Sequence, residues 1–176
     1  MGLLIYEELD IQKLSNTRAK VESASEKLNE IVLEIVNKYT ADLDEYVLYI
    51  RRILEDEDNP PTSMELDNFC MNLAMYIYYA SSMQEQLGIK DDISRALYKE
   101  VYHSNRDSLE KGTVADKDSL AELASQQEYL TSVLYKRAYT IVKAKVVAAQ
   151  DLLASIKKVI SRRVSELELT RISGGK

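Results

Sequence analysis

Turn-forming residues are scarce in this chain. Of 176 residues only five are glycine and two proline, and the prolines are adjacent, at Pro60 and Pro61. A compact globule of this length normally needs more turn chemistry. Long helices with short connections are the expectation, and such helices often bury their apolar stripe against another chain. Tryptophan is missing, phenylalanine occurs once, and the other aromatics are twelve tyrosines. The single cysteine, Cys70, excludes an intramolecular disulfide. Flanked by Phe69 and Met71, it reads as a buried apolar residue in a protein made for a reducing compartment. The single histidine, His103, leaves no His-based metal cluster and reads as a surface or interface residue. Glycine-rich phosphate-cradling sequences are missing too. No apolar run approaches the ~18 residues of a membrane span. Met1–Tyr6 lacks the basic start of a signal peptide, and Tyr6 stands where myristoylation would need serine or threonine.

Acids are abundant, but Glu55-Asp56-Glu57-Asp58 is one contiguous run ahead of the prolines. General acid–base or metal chemistry needs carboxylates converging from separate elements, whereas a contiguous run marks a solvated helix end. No catalytic residue, metal site or cofactor is expected, and the chain reads as a binding protein, not an enzyme.

Charge is segregated along the chain. Residues 1–130 carry 13 Lys+Arg and 26 Asp+Glu; residues 131–176 carry 10 Lys+Arg and only Asp151, Glu166 and Glu168. The difference, −13 against +7, makes up the net −6. A basic segment on an acidic body suits a polyanion site or a contact between subunits; a solvated helix face is the plain alternative.

Apolar spacing predicts a first helix over about Leu14–Glu57, with an interruption at Tyr39–Ala41 left open, ending before Asn59-Pro60-Pro61. Residues 1–58 are thus an N-terminal helical segment and 62–176 a helical core. A second helix is expected from Ser63, capped by Thr62 or Ser63 and stopped at Gly88. Within it, Tyr76, Tyr78 and Tyr79 read as packing residues. A third helix follows from an Asp91 or Asp92 cap to Lys111. The last, capped by Asp116 or Asp118 or by a Ser119–Glu122 box, runs unbroken to Ser173, about 75–80 Å. Its stripe Tyr139, Val142, Val146, Leu153, Ile156, Ile160 and Val164 has the spacing of a coiled-coil seam. A helix this long is not expected to bury the seam against shorter neighbours. The predicted fold is therefore all-α: elongated helical hairpins with a long C-terminal helix, oligomerising through coiled-coil-like packing.

Two features point to binding. Lys136, Lys143, Gln150 and Lys157 recur every seven residues and line one stripe beside the seam, with Lys158, Arg162 and Arg163 extending the charge. Such cations neutralise phosphates without reading sequence. Upstream, Arg95, Lys99 and Arg106 interleave with Tyr98 and Tyr102, a pattern suited to single strands, where cations track the backbone and rings stack on bases. A helix with tyrosine inward and lysine outward reads the same way.

The stretch Gly112–Leu120, with Ala115-Asp116-Lys117-Asp118 at its centre, leads into a long helix ending Ile172-Ser173-Gly174-Gly175-Lys176. Over residues 92–176 this resembles the C-terminal half of the UvsY-type recombination mediators of T-even-like phages, in which a basic, tyrosine-rich stretch precedes a similar Ala-Asp-Lys-Asp start. Arg95 matches the first of two cations in that stretch; Leu97 stands at the second. The resemblance implies a ring-forming homo-oligomer in the cytoplasm of the bacterial host. It would bind single-stranded DNA, loosen the single-strand-binding protein and help load a RecA-like recombinase, without hydrolysing anything. Two other readings share the helical pattern: an oligomeric phage assembly protein that does not bind DNA, and a helical adaptor that binds another protein through its acidic face.

Overall fold

The computed structural model describes the backbone of residues 11–173 and the side chains of residues 14–172. Four helices fill it: α1 (Ile11–Leu54), α2 (Ser63–Asp107), α3 (Val114–Ala124) and α4 (Gln126–Ser173), with no strand among the described residues. The chain is all-α with a long C-terminal helix. The readings made on Met1–Tyr6 and on Gly174–Lys176 lie outside the described residues.

α1 passes through Tyr39–Ala41 without a break. Thr40 is buried there, with its Oγ1 3.2 Å from the Val36 carbonyl one turn back, so its hydroxyl is satisfied inside the helix. α1 ends ahead of the acidic run, and Asp56 Oδ1 closes the next turn by accepting from the backbone N–H of Asp58 and of Asn59, both at 3.1 Å. Thr62 then caps α2. Its Oγ1 accepts from Glu65 N at 3.2 Å, and Glu65 Oε2 accepts from Thr62 N at 2.7 Å, two orphan amides satisfied reciprocally.

α2 does not stop at Gly88. It continues to Asp107 as one helix, so the expected third helix is its C-terminal half, and Asp91 and Asp92 are interior residues, not caps. Gly88 serves a packing role instead: a Cβ there would lie 3.3 Å from Tyr139 Cε2, so its absence lets α2 approach α4. The true turn glycine is Gly112, at φ +120°. Thr113, not Asp116 or Asp118, caps the next helix, with Asp116 as its capping-box partner. Ser119 Oγ donates to the Ala115 carbonyl inside that helix and caps nothing. Ser125 interrupts the predicted continuous helix for one residue. The 3.0 Å bonds from Ser125 N to Ala121 O and from Tyr129 N to Ser125 O carry the ladder across it.

Two core clusters fix the arrangement. Val32 and Val36 of α1 meet Leu87 of α2 and Ala138 and Val142 of α4. Leu43 and Ile50 meet Leu66, Phe69, Leu73 and Ile77 of α2 and Val146, Ala149 and Ile156 of α4. α2 therefore runs antiparallel to α4, α1 runs parallel to it, and the N-terminal segment shares one core with the rest. A polar cluster ties α1 to α4: Lys145 is ion-paired with Asp44, whose Oδ2 lies 2.8 Å from Thr40 Oγ1.

The premise for self-association along the α4 seam is corrected by this packing. α1 and α2 are almost as long as α4, 44 and 45 residues against 48, and they cover it. Val142, Val146 and Ile156 are buried within the chain, and Tyr139, Leu153 and Ile160 are half-buried. Only Val164, near the C-terminal end, is exposed. Surface remains abundant all the same. The chain exposes 13,916 Å², against about 8,700 Å² expected for a compact protein of this mass. Residues 14–27 of α1 and 164–172 of α4 are exposed throughout.

Candidate nucleic-acid interface

The predicted cations divide by what they touch. On α4, the seven-residue spacing holds Lys136, Lys143, Gln150 and Lys157 on one edge, all exposed. That edge borders α2. Lys143 and Gln150 line an open groove of about 470 Å³ with Tyr78, Ser81, Ser82 and Glu85 of α2. Lys157 lies near enough to Cys70 to offset part of the upward push that burial gives its thiol. Cys70 is half-buried rather than fully enclosed. Lys158 is exposed, and Arg162 pairs with Glu166 at 3.6 Å. Arg163 turns toward the inter-helix turn, where its Nη1 donates to the Pro61 carbonyl at 2.7 Å, and so it serves to hold α4 against the start of α2.

The upstream segment is knitted into the fold. Arg95 Nη2 bonds Asp91 at 3.0 Å and Asp92 at 2.6 Å. Arg106 Nε bonds Asp118 of α3 at 2.5 Å, and the Tyr102 hydroxyl donates to the same carboxylate at 3.2 Å. Burial pushes the Tyr102 phenol up, and its bond to Asp118 pushes it further; Arg106 is raised by its own bond to the same carboxylate. Tyr98 packs between Tyr102 and Tyr129, with ring centres 6.3 and 5.4 Å away. Among the described residues, Lys99 is the one exposed cation of this segment outside an ion pair. Tyr98 and Tyr102 therefore join α2 to α3 and α4, and Arg95 and Arg106 are committed to carboxylates of their own chain. His103 is exposed, with its ring against Tyr102.

One site residue went unread in the sequence. Tyr78 is 70% exposed and opens onto the α2/α4 groove, while its neighbour Tyr79, also exposed, lines a different groove on the α1 side. Of the three clustered tyrosines only Tyr76 packs, 4.8 Å from Tyr46. The core of α2 recurs at Leu66, Phe69, Leu73, Ile77 and Ala80, which turns positions 78 and 79 outward. That register was the available signal.

The groove joins one lysine, Lys143, with amide and hydroxyl donors and one open aromatic ring, and Lys136 and Lys157 lie along the same edge of α4. Those groups can neutralise phosphates and stack a base, and Glu85 sets one acidic side chain among them. Among the described residues no three His, Cys, Asp or Glu side chains converge on a metal site, and no helix is long and apolar enough to cross a membrane. Comparison with protein-family models, with curated proteins and with solved structures finds no match for this chain.

Proposed function

We propose that the chain is a non-catalytic recombination accessory protein of phage type that holds single-stranded DNA and helps load a RecA-like recombinase. The observation that carries the DNA half of this reading is the α2/α4 groove. There Lys143 and Gln150 face exposed Tyr78, on an edge that Lys136 and Lys157 continue. Backbone neutralisation by spaced lysines with a stacking ring is the chemistry of sequence-tolerant single-strand binding. The recombinase half rests on the resemblance of residues 92–176 to the UvsY-type mediators. Homo-oligomerisation is supported by the large exposed surface. With the central seam occupied, the exposed ends of α1 and α4 are the contact candidates.

The test is binding to a fluorescent single-stranded oligonucleotide across a salt series, with mass measured in the same buffers. Affinity that falls steeply with salt, from an oligomer, is the expected result. An oligomer that ignores DNA at low salt overturns the reading.

A second reading, an oligomeric assembly protein without DNA binding, is favoured by one observation. Arg95, Arg106 and Lys145 are spent on ion pairs within the chain, while α2 turns Met64, Met71, Met75, Ile89 and Ile93 outward. The same experiment separates the two.

A further inference from the structure

The edge of α2 opposite the lysine groove carries different chemistry. Two clefts of about 340 and 390 Å³ meet at Asp42 and Tyr76, between α1 and α2. Tyrosine dominates the wall of the second cleft and shares that of the first with Lys38, Leu43 and Met83. Tyr46 stacks on Tyr49 at 5.9 Å and lies 4.8 Å from Tyr76, and Tyr79 and Tyr39 continue the row. Tyr49 and Tyr79 are more than half exposed. The acids set among them, Asp42 and Glu45, are exposed and stand outside the ion pairs formed among the described residues. From Tyr39 to Tyr49 the row covers ten helical residues, about 15 Å, the length of four or five residues of extended chain.

The rim of this groove already receives one cation. The Lys90 ammonium donates to the Tyr39 hydroxyl at 2.7 Å. At 5.5 Å from the ring centre it sits at the hydroxyl, not over the face. Lys38 lines the first cleft beside Asp42 without forming an ion pair with it among the described residues, and the second cleft offers its ring faces and the Asp42 and Glu45 carboxylates with no lysine or arginine in its lining. Aromatic faces attract guanidinium and ammonium groups, and carboxylates complete the match by charge. An apolar helix is a poor fit, because it would bury Asp42 and Glu45 unpaired.

The geometry points to a docking site for a basic peptide segment of another protein, with an arginine or lysine seated between Asp42, Glu45 and the Tyr46–Tyr49–Tyr76 row. The proposal stands apart from the DNA reading, because it uses the other edge of α2 and none of the α4 lysines.

The test titrates the full chain into a labelled Ala-Arg-Ala-Arg-Ala peptide and into the same peptide with citrulline, a neutral isostere, for arginine. The arginine peptide is expected to bind at least about tenfold more tightly. Asp42→Asn with Glu45→Gln should weaken it about tenfold, and Tyr49→Leu with Tyr79→Leu about three- to fivefold. Neutralising two acids elsewhere, Glu55→Gln with Glu57→Gln, should change it less than about twofold. All four tyrosine and acid positions substituted in the groove are exposed, so the fold should persist, and circular dichroism checks it. Equal losses from both acid pairs would reduce the effect to general attraction by an acidic protein and overturn the site. Equal binding of the citrulline peptide would also overturn it. Loss of self-association in the Asp42/Glu45 variant without peptide binding would assign the groove to a second copy and refute a separate basic partner. Shifts of the Tyr46 and Tyr76 ring resonances on adding the arginine peptide would locate it independently of any substitution.

Discussion

Asp91 sits on α2 with its side chain 8% exposed, Oδ2 on Arg95 and Oδ1 without a hydrogen-bond partner. Removing the guanidinium leaves that carboxylate buried and unpaired, which costs on the order of 1–3 kcal/mol. Arg95→Ala is therefore expected to lower Tm by several degrees in thermal denaturation, and adding Asp91→Asn should recover most of the loss. Loss of DNA binding with Tm unchanged would place Arg95 at a phosphate instead. At this scale the sequence was partly legible. The sequence offers Thr62 or Ser63 as the cap of α2, and the structure selects Thr62 with Glu65 as its capping-box partner; Thr113 is not offered, because Asp116 stands where the pattern has glutamate or glutamine. Arg95 and Arg106 were read as phosphate contacts because composition shows a cation without showing its partner. Arg95's acids lie three and four residues away, whereas Arg106's Asp118 lies beyond the Gly112 turn.

Among the elements, apolar period gave the helices and local breakers misplaced their joints. Gly88 resembles a C-cap in sequence, yet its cost to the helix is about 1 kcal/mol. Close packing against Tyr139 offsets that cost, a tertiary effect with no local sign. Ser125 interrupts α3 and α4 with no glycine or proline to announce it. The seam on α4 is buried against the chain's own helices; ending α2 at Gly88 makes it look too short to cover α4, whereas the uncut α2 lies along it together with α1. The start of α2 offers a test. The backbone N–H of Thr62, and then its hydroxyl, hold the Glu65 carboxyl below the usual range. A depressed carboxylate contributes stability that is present at neutral pH and is lost as pH falls through its folded value. Glu65→Ala should therefore lower Tm at pH 7, and the gap to the unsubstituted chain should narrow as pH falls below the usual carboxylate range and close once Glu65 is protonated. A gap constant across pH would show that the charge plays no part in the cap.

For the whole molecule, the segregation of −13 and +7 along the sequence does not become two separate lobes, because α1 and α4 lie side by side and Lys145 meets Asp44. Part of the basic excess neutralises the chain's own acids, and of the cations left exposed Lys136, Lys143 and Lys157 share the edge that borders the α2 groove. Replacing these three with glutamine should flatten the log–log salt dependence of single-strand binding by about 2, at roughly 0.7 per phosphate contact. Oligomer mass should not change. An unchanged slope would remove the α4 edge from the interface. The lysine stripe was legible because seven-residue spacing survives any helix packing. The outward turn of Tyr78 is legible in the apolar period of α2, but which groove it opens onto is not, since that depends on how α2 sits against α1 and α4.

Tyr78 and Tyr79 are consecutive residues, meet edge to face at 5.7 Å, and open onto opposite grooves. A single peptide unit thus joins the two surfaces proposed here, and a guest that turns one ring alters the packing available to the other. Thermodynamic linkage makes any such coupling reciprocal: the factor by which an oligonucleotide changes the affinity for a basic peptide is the factor by which the peptide changes the affinity for the oligonucleotide. If both edges are occupied in turn, α2 is where one guest would be felt by the other, through the Tyr78–Tyr79 contact.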